Sequence, residues 1–338
     1  MQKKQLKRIL IIQTASLGDV ILGTPVIEKL HRFYPTAKID FLLKYGYEEV
    51  LRYHPYLHQI IVWNKKEKKY THLIELIRLF RARRYDLIVN AQRFASSGLI
   101  TITSQAKSTV GFSKNPLALF FNHRIKHVIG KQSFLIHEAE RNLKLIEHVT
   151  DDSVGYPVKL YPTQLDYAKV SQYKTRRYIT ISPGSLWFTK QLPNDKWIDF
   201  IKAIDKDLVI YLLGSGKETN LCAQIMMDSG HANSLNLAGK LTFLQSAALM
   251  KDAAMNYVND SAPMHFASAM NAPVTAVYCS TIPEFGFGPR SDNSLVVQTS
   301  KPLSCRPCGL HGFHSCPEKH FECATTILIK QLIQTLPT

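Results

Sequence analysis

Short apolar runs recur along this chain, each followed by small or polar residues and then by a stretch with helical spacing. Ile9–Gln13, Lys38–Leu43, His58–Trp63 and Tyr85–Ala91 read as strands. Between them, Val20, Ile27 and Leu30 fall on one helical face, a helical stretch surrounds Tyr47–Tyr53, and a basic helix covers Thr71–Arg83. Short elements lead on to Phe121, and a helix over Ser133–Val149 carries His137, Glu140 and Arg141. Strand and helix in alternation are the pattern of βαβ units, which builds a parallel, doubly wound sheet.

The pattern pauses and then restarts. Asp151–Lys174 holds two prolines and weak periodicity, which marks a linker. Beyond it Tyr178–Ser182, Leu208–Leu213, Ala254–Asn259 and Val274–Tyr278 read as strands. Asp195–Ile204, Glu218–Asp228, Leu244–Lys251, a segment from Pro263 and a last one, Thr325–Leu336, read as helices. With 338 residues there is room for two ordinary domains. The expected fold class is α/β, two Rossmann-like parallel-sheet domains facing a cleft. Ligands in such sheets bind beyond the carboxyl ends of the strands, so the loops there are the places to look for chemistry.

Three of these loops carry suitable residues. Thr14–Asp19 follows the first strand, and Gly18 lets the backbone turn sharply before Asp19. That carboxylate is either a helix cap or a proton acceptor. Residues 179–197 run from strand into Pro183-Gly184-Ser185, with Thr189 and Lys190 before the next helix. Hydroxyls, backbone N–H groups and a lysine suit an anion such as phosphate, although no Walker loop is present. Asn256–Asn259 ends at Asp260-Ser261-Ala262, with Pro263 where a first helical residue belongs and His265 in the first turn. The amides of such a helix start attract phosphate. A weaker fourth loop is Gly214-Ser215-Gly216-Lys217-Glu218, where Glu218 serves as a ribose contact or a cap. Thr219 leaves the dinucleotide fingerprint incomplete, which counts against an NAD-dependent oxidoreductase.

Charge and cysteines narrow the partners. The net charge is +16, from 42 Lys and Arg against 26 Asp and Glu, which suits an anionic partner or a solvated basic surface. The apolar run near the start is too short for a signal peptide, and no stretch approaches a spanning helix, so a cytoplasmic protein is expected. Cys305, Cys308, Cys316 and Cys323 crowd the end, with His311, His314 and His320 among them. The C-x2-C start resembles a zinc knuckle, while the wider second spacing departs from the tight one and favours a compact reduced loop. A basic zinc-containing nucleic-acid binder is a rival reading, but the interleaved aromatic and basic residues of single-strand platforms are lacking.

The segments ILIIQTASLGDVILGTPVIEKL, AQRFASSGLITITSQAKSTVGF, HEAERNLKLI, SPGSLWFTKQLP, NLAGKLT, NDSAPMH and the CRPC…C…C tail occur here in one order over nearly the whole chain. Together they resemble glycosyltransferase family 9, the lipopolysaccharide heptosyltransferases. The resemblance implies a GT-B fold. Residues 1–160 would bind the acceptor and 161–324 the nucleotide-sugar, with the helix of 325–338 packing back on the first domain. It implies an inverting transfer of heptose from ADP-heptose to the anionic inner core of lipopolysaccharide, with no cofactor required. Asp19 would be the base, and Lys190 with Ser185 and Thr189 would hold the diphosphate. Gly214, Glu218, Leu241, Asp260, Ser261, Ala262 and His265 would line the nucleotide-sugar site, and Thr14, Ser16, Gln92 and Arg93 the acceptor site. Lys is common in the family where Gln13 stands, Lys-Arg-Trp-Pro where Lys190-Gln191-Leu192-Pro193 stand, and Gly where Ala262 stands. Arg78, Arg81, Arg83 and Arg84 would face the acceptor, and Lys65, Lys66, Lys68 and Lys69 either an anionic membrane surface or solvent alone. The remaining rival is a GT-B transferase with another nucleotide-sugar or acceptor.

Overall fold

β1 (Arg8–Ile12) is buried from Ile9 onward, as a strand covered on both faces must be. In this computed structural model, which describes residues 5–129 and 136–337, it lies at the centre of a parallel sheet. The other strands are β2 (Lys38–Lys44), β3 (Gln59–Trp63), β4 (Leu87–Asn90), β5 (Ser108–Phe112) and β6 (His123–Ile125), in spatial order β3-β2-β1-β4-β5-β6. The crossovers are α1 (Leu17–Leu22), α2 (Thr24–Phe33), α3 (Lys69–Arg83) and α4 (Ala95–Thr103), and α5 (Glu138–Lys144) follows the sheet. Leu73, Leu76 and Phe80 of α3 pack on Leu10, Ile12, Leu42, Ile61 and Ile88, forming one buried cluster.

A second sheet repeats this plan. α6 (Gln164–Val170) precedes β7 (Tyr178–Ser182), α7 (Asn194–Lys202), β8 (Val209–Leu212), α8 (Thr219–Ser229) and β9 (Ser234–Asn236). Then come α9 (Phe243–Lys251), β10 (Asn256–Asn259), α10 (Ala262–Ala269), β11 (Val274–Tyr278), β12 (Ser294–Gln298), α11 (Glu322–Thr325) and α12 (Ile329–Ile333). The order is β12-β11-β10-β7-β8-β9, all parallel, which read from the other side is the order of the first sheet. Both are therefore Rossmann-type sheets, and the expected α/β fold class of two such domains is present.

The chain divides into two compact units, Met1–Tyr161 and Pro162–Thr338. The linker expected over 151–174 contains residues of both, since α6 lies within that span. The closing residues differ from expectation. Thr326, Ile327 and Leu328 interrupt the single helix foreseen there, because Leu328 is extended and the Thr326 hydroxyl bonds back to the Glu322 carbonyl at 2.6 Å. Ile327 and Leu332 are buried with Ile179, Trp197, Phe200 and Tyr257 of the second unit. Of the helix expected over Ser133–Val149, residues 133–135 lie outside the described residues, and α5 starts where His137 caps it. Among the described residues no helix is long and apolar enough to cross a membrane.

Candidate active site

In each sheet the strand order reverses at one seam, between β1 and β4 and between β7 and β10. Loops diverge there beyond the strand ends and leave a crevice. The seam of the first unit is bordered by Gln13–Asp19 after β1 and Ala91–Arg93 after β4. The seam of the second is bordered by Pro183–Lys190 after β7 and Asp260–His265 after β10. Most candidate residues thus collect at two seams because of strand order, a relation that spacing along the chain does not display, while Gly214 and Glu218 follow β8 and Leu241 follows β9.

In the first unit Asp19 is the third residue of α1, and Ser16 is the N-cap. Asp19 Oδ2 accepts from the Ser16 hydroxyl at 2.6 Å and the Ser16 N–H at 3.0 Å, while Ser16 Oγ accepts from the Asp19 N–H at 3.2 Å. This reciprocal box gives Asp19 a capping role at the third helical position, with Ser16 as the N-cap. Asp19 is half-buried, and its negative charge, after burial, helps raise the pKa of the Tyr47 phenol.

Thr14 and Gln92 are buried, with Thr14 Oγ1 3.2 Å from the Gln92 side-chain amide, and Gln92 also touches Gln13. Ser16 and Arg93 are exposed. Lys65, read in sequence as one of a lysine run, instead brings its ammonium to this seam. It donates to Thr14 Oγ1 at 2.8 Å and to the Thr14 carbonyl at 3.2 Å, and lies 4.6 Å from the centre of the Trp63 ring. Burial, then repulsion by Lys44 and Lys69, lowers its pKa to about 8. The signal for it was its place two residues past the end of β3, on the same sheet edge.

Two of the four arginines expected to face an acceptor, Arg83 and Arg81, are engaged elsewhere, while Arg78 and Arg84 are exposed. Arg83 pairs with buried Asp40 at 2.9 Å and Tyr85 donates to the same carboxylate at 2.6 Å, beside the opposite ends of the strands. Arg81 bonds the Thr103 carbonyl at 2.6 Å.

In the second unit Lys190 pairs with Asp260, Nζ to Oδ2, at 2.6 Å. Thr281, just past β11, donates to the same oxygen at 2.6 Å. His265 sits one turn into α10, 6 % exposed, and its Nδ1 has no hydrogen-bond partner among the described residues. Burial pushes its pKa down to about 4; Asp260 opposes this and Lys190 adds to it, so the ring is neutral near pH 7. Ser261 caps α10 without a side-chain bond, and Ala262 begins the helix with Pro263 behind it. A neutral imidazole, free amides at a helix start and a lysine here form an oxyanion-binding set.

The β7 loop is fixed from several sides. Asn259 accepts from the Leu192 N–H at 3.0 Å and donates to the Pro183 carbonyl at 2.6 Å. Thr189 is buried; its hydroxyl accepts from the Ser280 hydroxyl at 3.0 Å and the Phe313 N–H at 2.8 Å. Ser185 is half-buried in this loop, and its carbonyl accepts from Gln191 at 2.6 Å. Glu218 accepts from the Ser215 N–H at 2.6 Å, completing a cap, and its carboxylate fills the space a side chain at Gly184 would need. Gly239 donates to the Gly214 carbonyl at 2.9 Å, and Leu241, two residues after Gly239, is half-buried. Thr281, Asn259 and Ser280 were not singled out in sequence.

The cysteine-rich segment is tied to the same loops. Arg306 donates to the carbonyls of Cys279 at 2.7 Å and Thr281 at 2.9 Å. Cys305, Cys308 and Cys316 are half-buried free thiols and Cys323 is a buried one. They lie near enough to influence one another: burial and then Cys308 and Cys316 push the Cys323 thiol up to about 12. Among the described residues no group of three or more His, Cys, Asp or Glu side chains is arranged to hold a metal ion, so zinc is not assigned here.

Known proteins resemble this chain in sequence and in fold. Residues 73–311 match the sequence signature of glycosyltransferase family 9 (heptosyltransferase). Lipopolysaccharide heptosyltransferase 3 of Escherichia coli is 30% identical over 282 residues, 78% of this chain and 81% of that protein. The glycosyl transferase family 9 structure from Veillonella parvula superimposes with a TM-score of 0.86 at 20% identity, covering 99% of this chain and 97% of that one. The structure of E. coli ADP-heptose lps heptosyltransferase II gives 0.78 at 20% identity, covering 97% of each. These likenesses in structure agree with a GT-B fold, and the match over most of the sequence means that the chain belongs to glycosyltransferase family 9, the heptosyltransferases.

Proposed function

We propose that this enzyme transfers a heptose from ADP-heptose to the inner core of lipopolysaccharide, inverting the anomeric centre, at the cytoplasmic face of the inner membrane. The oxyanion set at the second seam carries the reading: Lys190 paired with Asp260, the start of α10, and neutral His265 with an unpartnered Nδ1. The names of the relatives supply donor and acceptor, lipopolysaccharide for one and ADP-heptose for another.

An acceptor hydroxyl attacks poorly until its proton leaves. Asp19 takes that proton as the oxygen closes on the anomeric carbon. The bond to the diphosphate breaks, and negative charge grows on the departing oxygens. Lys190 turns from Asp260 toward that charge, and the α10 amides and Ser261 hydroxyl bind it. The Asp260 carboxylate keeps its bond to Thr281 meanwhile. Glu218 reaches the ribose and Leu241 bounds the base, with Ser185, Thr189, Gly214 and Ala262 shaping the walls. On the acceptor side Ser16, Arg93 and Lys65 meet the anionic core, while Thr14 and Gln92 hold Lys65 and the loop in place. The cysteine-rich segment enters as scaffold, of the β7 loop through Phe313 and of the loop after β11 through Arg306.

Asp19→Asn separates the two roles of that residue, because an amide oxygen still accepts from Ser16 while basicity is lost. Turnover of ADP-heptose on heptose-deficient core should fall by roughly 10²–10⁴, about 3–5 kcal/mol of barrier, with ADP affinity measured by calorimetry unchanged. Turnover within a few-fold of wild type would return Asp19 to a capping role alone. Preference for a different nucleotide-sugar in the same assay would replace the donor and leave the chemistry.

A further inference from the structure

The first unit has a second concavity where α2 ends and the chain enters β3, by the amino ends of its strands. This cavity of about 420 Å³ is lined by His31, Arg32, Tyr56, Tyr156, Lys159 and Glu28, among others. Its walls are aromatic and ordered. His31 stacks on Tyr56 with centroids 3.9 Å apart and planes 10° apart, and the Arg32 guanidinium lies 6.0 Å from the Tyr156 ring centre. Its one carboxylate is already engaged, since Glu28 accepts from the Tyr161 hydroxyl at 2.6 Å and faces His54 Nε2 at 3.4 Å. His54 behind it is buried, and burial, then His31 and Lys159, push its pKa down to about 4, so it adds no charge. Arg32 and Lys159 are exposed, and among the described residues neither has a carboxylate within ion-pair distance. Two uncompensated cations over ring walls suit an oxyanion carried on a ring: guanidinium and ammonium take the oxygens and the aromatic faces take the ring.

We propose that this cavity is a second ligand site, separate from the reaction seam, for a phosphate monoester carried on a sugar-sized ring. Such a group occurs free, as a sugar phosphate, and on lipid headgroups. The occupant would hold the end of α2 to the segment around Tyr156 and Lys159.

The test uses the full chain with excess ADP present to occupy the nucleotide site. Calorimetry with glucose 6-phosphate reads the free source. Co-sedimentation with phosphatidylcholine vesicles containing phosphatidylinositol 4-phosphate, against vesicles containing phosphatidylinositol, reads the lipid source. Binding in either arm should weaken about tenfold or more in Arg32→Ala/Lys159→Ala, whose exposed side chains can be removed without unfolding, as an unchanged melting temperature would verify. Glucose and inorganic phosphate should each bind more weakly than the phosphorylated sugar. A Tyr56→Ala variant should lose the preference for glucose 6-phosphate over inorganic phosphate. No binding in both arms, or binding that the double variant leaves unchanged, overturns the site.

Discussion

Lys65 shows how one side chain acquires a role from its surroundings. Four lysines stand close together from 65 to 69 and look equivalent in sequence. Burial decides between them. Lys65 is half-buried against Trp63 and anchored on Thr14, whereas Lys66, Lys68 and Lys69 are exposed. Its pKa of about 8 means that it is charged at pH 7 and largely neutral at pH 9. If it binds an oxyanion of the acceptor, the acceptor KM should rise about tenfold between pH 7 and pH 9 while the donor KM stays level. Lys65→Arg keeps its charge throughout, so its acceptor KM should stay flat over that range. Identical profiles for the two proteins would remove Lys65 from acceptor binding. The same contrast applies to Asp19 and Arg83. Residue type and local spacing mark both as candidates, but only tertiary contacts show one in a cap at the seam and the other consumed by Asp40.

At the scale of elements, hydrophobic period and loop chemistry were legible. The eight strands read from sequence lie at or close to the observed positions, because strands buried on both faces are continuous apolar runs. β5, β6, β9 and β12 were not read; Thr109, Gly111, Arg124 and Asn236 break the apolar run in three of them, and β12 is half solvated. The helix over 325–336 failed where β-branched residues and a hydroxyl back-bond compete with helix formation. Loop conformations were not legible, since they are set by contacts from distant strands. Gly184 is the sharpest case. A Cβ there would overlap the Glu218 carboxylate, which a strand-to-loop Pro-Gly-Ser does not announce. Gly184→Ala should therefore cost about 1–3 kcal/mol and weaken ADP binding, as the loop or the Ser215–Glu218 cap gives way. Adding Glu218→Ala should recover the melting temperature but leave ADP binding weak, since the proposed ribose contact is gone. A double variant no more stable than Gly184→Ala would show that the collision is relieved elsewhere.

For the whole molecule, the sequence displays two rounds of alternation but not the strand order. That order turns four separate loops into two seams and gives the motifs a common location. Each unit also contains a neutral histidine that burial holds far below its usual pKa: His54 in the first and His265 in the second, both at about 4. The sign of the consequence follows from proton counting. Between pH 4 and pH 6.5 the unfolded chain binds a proton on each residue that the folded chain does not. Acid therefore favours unfolding, and the stability these residues contribute is present above pH 6.5 and lost as pH falls toward 4. The slope is about 1.4 kcal/mol per pH unit for each group in that window. Urea titrations at pH 4.5, 5.5, 6.5 and 7.5 should show stability rising with pH and levelling near 7. His54→Gln should reduce the slope for the first unit, where His148, which burial and then His123 also hold at about 4, keeps a share of it, and His265→Gln should flatten that of the second. An unaltered slope in both variants would place the acid sensitivity in other groups and show that neither ring stays neutral in the folded protein.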